Sequence, residues 1–269
     1  MNAIIVPRCI ALVVSIVLAG DATGDTGPDY LEGDKIQDPL AAAFKVLQLP
    51  FAEEQHSLLH LRSFYLDRDL DRADNRYEWA GGGWLNLVTD FWDDRLKLGA
   101  TGYTSQKIMA SDQQLGTGLL QRDGDGYSVL GELYTSLNTE HVAVQAGRYL
   151  VNMPYINASD TRMTPNTFQG AQLVAKVSPE LSVGGGILTD IKRKTSTDFE
   201  SLYKAAGLQG DEDVKILAAL YENDSGTTGG VYYMHAPEFI DGAYLEASQR
   251  FSLGDDRYIQ LSGQYTWQA

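Results

Sequence analysis

From Ser57 onward, apolar and polar side chains alternate with a period of two. That period belongs to strands, because successive side chains of an extended backbone point to opposite faces. The alternation predicts eleven strands, at residues 57–68, 75–88, 94–105, 126–137, 140–149, 169–178, 181–190, 213–222, 226–235, 242–252 and 257–267. Their length of about ten residues suits a tilted crossing of a bilayer. In the first, Leu59, Leu61, Ser63 and Tyr65 share one face, and His60, Arg62, Phe64 and Arg68 the other. In the last, Ile259, Leu261, Gly263, Tyr265 and Trp267 stand opposite Gln260, Ser262, Gln264 and Thr266. In segment 213–222, Val214, Ile216, Ala218 and Leu220 form the expected lipid face, with Lys215, Leu217, Ala219 and Tyr221 behind them. No stretch after residue 50 holds a helical period long enough for a buried helix.

The connections alternate in length. Long ones, at 67–75, 106–125, 150–168, 190–212 and, mildest, 236–241, fall between short turns such as Asn223–Gly226 and Gly254–Asp256, which carry Asn, Asp, Ser and Gly. Long loops at one end and tight turns at the other are the habit of a transmembrane β-barrel. The expected fold is therefore all-β, an antiparallel transmembrane barrel whose apolar rows face lipid and whose polar rows face a wet interior. Tyr77, Trp79, Tyr127, Tyr244, Tyr265 and Trp267 are expected near strand ends on the outward face, as an aromatic girdle. A soluble barrel inverts this logic, and alternation alone does not separate the two.

The start of the chain sharpens the choice. Arg8, the apolar run Ile10–Ala19 and a small-residue exit read as an export leader over residues 1–22, too short for a spanning helix. The lone cysteine, Cys9, lies within it, so structural disulfides are excluded. Residues 23–56 read as an acidic, irregular periplasmic segment with one short helix at Asp38–Gln48, capped by Asp38 with Pro39 in the first turn. The barrel portion then runs over 57–269. Thirty-six acidic against 21 basic side chains, a net charge of −15, argue against nucleic acid, which needs a basic face. The four histidines are scattered without metal-ligand spacing, and no nucleophile elbow, zinc motif or phosphate loop occurs, so neither catalysis nor a cofactor is expected.

Three stretches carry a resemblance: Asp67-Arg68-Asp69 with Arg76-Tyr77-Glu78-Trp79 at the first hairpin, Gly116-Thr117-Gly118, and Ser159-Asp160-Thr161-Arg162-Met163-Thr164-Pro165-Asn166-Thr167-Phe168-Gln169-Gly170. They resemble the OprD-type family of outer-membrane porins. The resemblance implies a barrel of about 18 strands, as a monomer or weak trimer, inserted by the barrel-assembly machinery. It implies a third outer loop folded inward as a constriction, and a ladder of basic side chains passing small anionic or zwitterionic solutes, such as amino acids, by passive diffusion. Arg68 and Arg76 match the ladder; Asp160, Arg162 and Pro165 match the loop motif. Eleven strands would be a partial barrel, lacking about seven at the C-terminal end.

The charge pattern gives an independent check. The alternation places Arg62, Arg68, Arg76, Lys97, Lys176, Lys215 and Arg250 inside, against Glu78, Glu132 and Glu246. Basic residues thus dominate the expected interior of an acidic chain, which would favour anions. Tyr155, Asp160 and Arg162 are the candidates within the loop. The competing reading is a secreted, soluble β-rich enzyme or carbohydrate-binding protein.

Overall fold

The computed structural model describes residues 57–68, 76–92, 95–111, 116–254 and 257–269, and the backbone of 12–19. The expected helix at 38–48 lies outside them. The elements are β1 (Leu12–Ala19), β2 (Ser57–Arg68), β3 (Arg76–Phe91), β4 (Leu96–Ala110), β5 (Tyr127–Asn138), β6 (Val142–Tyr149), β7 (Thr167–Lys176), β8 (Leu181–Lys192), β9 (Phe199–Ser201), the single-turn helix α1 (Leu202–Ala205), β10 (Val214–Glu222), β11 (Thr227–Ala236), β12 (Ile240–Gly254) and β13 (Arg257–Gln268). All eleven expected strands are present. Several run further than the alternation suggested: β4 continues to Ala110, and β8 to Lys192. The short β9 and α1 lie in the long connection after β8 and have no counterpart in the expectation.

The hydrogen-bonded order is β1-β13-β12-β11-β10-β8-β7-β6-β5-β4-β3-β2, with β9 beside β8. It follows the chain from β2 to β13, as meander connections require. β1 is the exception. The apolar run read as the core of a leader pairs antiparallel with β13, from Leu12 opposite Tyr265 to Ala19 opposite Tyr258. Val13, Val14, Ile16 and Val17 make that run a strong strand former. The path ends at β1 on one side and β2 on the other.

Two compact units divide the described chain: residues 50–173 with 186–214, and 174–185 with 215–269. In the first, exposure alternates along β2 just as the side chains do. Leu59, Leu61 and Tyr65 are 64 %, 74 % and 57 % exposed, whereas Arg62, Phe64 and Leu66 are half-buried. Leu85, Leu87, Leu98, Leu130, Leu133 and Leu137 continue the bare apolar row. On the other face Glu78, Thr101, Ser105, Glu132, Gln145 and Lys192 are buried. This is the reverse of a soluble protein, where polar positions face solvent and Leu rows are covered. The apolar cluster of the unit lies on the polar face: Ala80, Leu119, Leu120 and Met163, with Phe64, Leu66 and Ala110, pack where two long loops fold back onto the strands.

In the second unit, Val231, Leu245, Phe251, Leu261 and Tyr265 form the exposed row. Three expectations are corrected. In β10 the faces are exchanged: Val214, Ile216 and Leu220 are buried, and Leu217 is 62 % exposed. The register explains this, since Ala218 faces Tyr232 and Leu220 faces Gly230, where Leu220 and Tyr232 close a small cluster with Ala218 and Tyr244. Both rows of β10 are apolar, so alternation left its orientation undetermined. Lys215 consequently lies on the exposed row and is removed from the set of interior charges. Two girdle aromatics also turn the other way. Tyr127 is 5 % exposed and bonds to Thr164 (3.2 Å), and Tyr244 faces Tyr232 and donates to Glu246 (2.9 Å). Each hydroxyl has a partner on the polar side, which a lipid-facing tyrosine lacks.

Candidate solute path

The first hairpin sets the frame. Its register pairs Arg62 with Gly82, Phe64 with Ala80, Leu66 with Glu78, and Arg68 with Arg76, so all of these share the covered face. Glu78 is 2 % exposed, and one carboxylate oxygen receives the Thr117 hydroxyl (2.6 Å), the Leu119 amide (2.9 Å) and the Leu120 amide (3.4 Å). A carboxylate taking several donors is stable in a buried place. It ties the second long loop to the strand. Gly116 leaves room for it, because a Cβ there would overlap the Glu78 carboxylate and force it to move.

The third long loop, 150–166, lies against the same face. Arg62 grips it: Nη1 and Nη2 donate to the two oxygens of Asp160 at 3.0 and 2.8 Å, and Nη2 also donates to the Arg162 carbonyl. The Arg62 guanidinium sits 5.2 Å over the Trp84 ring, whose own plane stacks on His60 at 3.9 Å. A forked guanidinium between a carboxylate and an indole is held in one geometry. Arg162 donates through Nε to the Thr117 carbonyl (3.1 Å) and through Nη1 to Thr161 (2.6 Å), which joins the third loop to the second. Partial burial lowers the pKa of the Arg162 guanidinium; the nearby positive charge of Arg68 adds to this, and Glu78 opposes it. Lys194 Nζ reaches Ser159 Oγ (2.9 Å) and Thr161 Oγ1 (2.7 Å) from the next loop.

Of the residues singled out in the sequence, Arg62, Asp160 and Arg162 therefore meet in one network. Arg62, expected as an interior charge on the solute path, serves as the loop's clamp. Tyr155 sits half-buried in a tight turn in which the Met153 and Ile156 backbones bond to each other at 2.6 and 3.2 Å. Arg68 and Arg76 form a direct cross-strand pair of like charges, and among the described residues neither has an ion-pair partner. Like charges set directly opposite are destabilising. With Arg162 close to Arg68, this gathers three guanidinium groups beside the third loop. They can take an anion weakly and release it; the buried acid nearest in the chain, Glu78, is occupied by three donors.

Sequence reasoning missed Asp90, which pairs with Lys97 at 3.6 Å. It also missed Lys192, which is fully buried beneath the third loop. The signal for Lys192 was available: the row Leu188, Asp190, Lys192 simply continues the alternation past the expected strand end.

Comparison with known proteins places this geometry. A family model described as outer membrane porin, OprD family, matches residues 50–268. The porin-like protein GalP of Pseudomonas putida is 22% identical over 216 residues, covering 76% of this chain and 53% of its own. Among solved structures, OccK9 (OpdG) of Pseudomonas aeruginosa superposes with a TM-score of 0.64 at 25% identity, over 76% of this chain and 57% of that one. A BenF-like porin from Pseudomonas fluorescens gives 0.67 at 21%, over 77% and 56%. OpdK of Pseudomonas aeruginosa with vanillate gives 0.61 at 23%, over 72% and 52%. The chain spans about half the length of these relatives.

Proposed function

Because the chain belongs to the OprD family of outer-membrane porins, we propose that it passes small carboxylate-bearing solutes, amino acids among them, by passive diffusion, with Arg68 and Arg76 receiving the carboxylate. Proteins of this family and fold are channels of the bacterial outer membrane and not enzymes, which sets aside the secreted-enzyme reading. Their bare apolar face meets lipid and their polar face lines the path. The observation that carries the carboxylate reading is the Arg68–Arg76 pair, two guanidiniums in register with no described acid to neutralise them. A guanidinium fork binds two carboxylate oxygens at once. Conduction needs sites that hold a solute weakly enough to release it. Vanillate in the OpdK structure is itself a carboxylate, in keeping with this chemistry. We further read residues 1–22 as an export leader, 23–56 as a periplasmic segment, the barrel-assembly machinery as the insertion partner, and the assembly as a monomer or weak trimer.

The test is flux in liposomes carrying the full-length protein. Replacing Arg68 and Arg76 together by Gln should cut entry of a small carboxylate severalfold and leave a neutral sugar of similar size unaffected. Equal loss for both solutes, or unchanged carboxylate flux, refutes the role of the pair.

A further inference from the structure

The third loop is held at its neck by a buried clasp. Lys192, at the outer end of β8, has no solvent-exposed surface. Its ammonium donates to the Pro165 carbonyl (2.8 Å), Thr164 Oγ1 (3.3 Å) and the Arg193 carbonyl (3.3 Å). Two of those acceptors, Thr164 and Pro165, stand just before the loop enters β7. The first residue of the loop is held from the other side: Glu132, 7 % exposed on β5, accepts from the Leu150 amide, from Thr101 and from the Tyr103 hydroxyl at 2.5 Å. Tyr103 touches both groups, its hydroxyl bonded to Glu132 and its ring centroid 6.0 Å from Lys192 Nζ. Gly131 makes the room. The β4–β5 register shifts between Thr101 and Gly102, leaving Gly131 as the bulged residue, and a Cβ there would come within 2.7 Å of the Tyr103 ring and 3.5 Å of Lys192 Cε. Bulges of this kind re-aim side chains next to functional sites.

We propose that Lys192, backed by Tyr103 and Glu132, is the positioning residue that seats the third loop against the strands, and so fixes where Arg162 stands relative to Arg68. The ammonium is sequestered and touches no solute. Its three donors are all spent on the loop neck and the adjoining backbone. Removing it leaves the Pro165 carbonyl without this donor and the buried Glu132 without the Lys192 charge, and both are unfavourable in a site closed to water. Arg62–Asp160 then remains the outer tether, without the neck.

The experiment reads the loop directly, in the absence of solute, so its outcome is separate from that of the carboxylate reading. Met163 is fully buried in the loop's contact with Ala80, Leu119 and Leu120. In the full chain with Cys9→Ser and Met163→Cys, a water-soluble maleimide should label slowly. Adding Lys192→Met should raise the labelling rate by about tenfold or more, the scale of hydrogen bonds to a charged group, in protein that keeps its heat-modifiable gel migration. An unchanged rate overturns the proposal. Leu188→Ala, a buried change on the same strand that leaves the clasp intact, is the control. If it accelerates labelling as much, the effect is general loosening and the proposal falls. Should Lys192→Met not insert, Thr164→Val removes one acceptor of Lys192 together with that hydroxyl's bonds to Tyr127 (3.2 Å) and the Lys194 carbonyl (3.3 Å), so its labelling rate is read as a ratio to that of Tyr127→Phe. A rise of about threefold, one modest hydrogen bond, supports the clasp, and no rise refutes it.

Discussion

Strands β2–β6 and strands β10–β13 obey the same alternation yet carry different interiors. Both leave a bare row of Leu, Val and Tyr on one side. In β2–β6 the covered side is a network of ions from distant parts of the chain: Arg62 and Asp160 are 98 residues apart, and Glu78 and Leu120 are 42 apart. In β10–β13 the covered side is local. Leu220, Tyr232 and Tyr244 pack on cross-strand neighbours, and Glu246 takes the Tyr244 hydroxyl two residues away. Turn length is the cause. The first region has connections, described over 116–126 and 150–166, that fold back onto the strands. The second is joined by Asn223–Gly226 and by the three residues 237–239, which cannot reach. Alternation provides a polar face in both; only long loops turn one into a fixed arrangement of charges.

The comparison can be broken most forcefully at Glu78. Glu78→Leu strands the Thr117 hydroxyl and two amides in a closed site and should destabilise the second loop by roughly 3–5 kcal/mol. Trypsin cleavage at Arg122 of the folded protein should become rapid. Next, Leu245→Arg tests the bare row of the second region, where a lipid-facing Arg costs about 2–4 kcal/mol near the bilayer midplane. Urea unfolding from vesicles should show that loss, whereas Arg at the neighbouring covered position, Tyr244, should be better tolerated; equal penalties contradict the assigned faces. A smaller effect is expected from Gly131→Ala, which crowds Tyr103 at 2.7 Å and should cost about 1–3 kcal/mol by overpacking, measured by the same unfolding. Smallest is Asn223→Ala. Its Oδ1 accepts from the amides of Ser225 and Thr227 at 3.1 and 3.0 Å and from the Ser225 hydroxyl at 2.8 Å. The turn is exposed, so the loss should be about 1 kcal/mol, with the third loop's protection from labelling unaffected.

Alternation gave the right faces wherever one row was polar, as at Arg62 and Phe64 against Leu61 and Tyr65. It failed at β10, where Leu220 and Leu217 are equally apolar and the choice passed to the Tyr232 contact. Aromatics near strand ends were ambiguous for a related reason. Trp79 and Tyr265 face outward, but Tyr127 and Tyr244 have hydroxyl partners on the covered side, and a partner 37 residues away, as Thr164 is from Tyr127, leaves no mark in a local pattern. Asp160 and Arg162 were recognisable from their motif, although the motif did not say that Asp160 would take Arg62.

The sequence by itself determined the eleven strands from Ser57 onward and, outside β10, their apolar row, because a period of two is a local property of an extended backbone. Tertiary structure alone decided which charges are consumed, and by what. Arg62 closes on Asp160, Lys192 on the loop neck and Glu78 on three donors, while Arg68 and Arg76 are left facing one another. Hydrogen-bond and ion-pair partners are settled by where loops come to rest, and that depends on contacts between residues tens of positions apart.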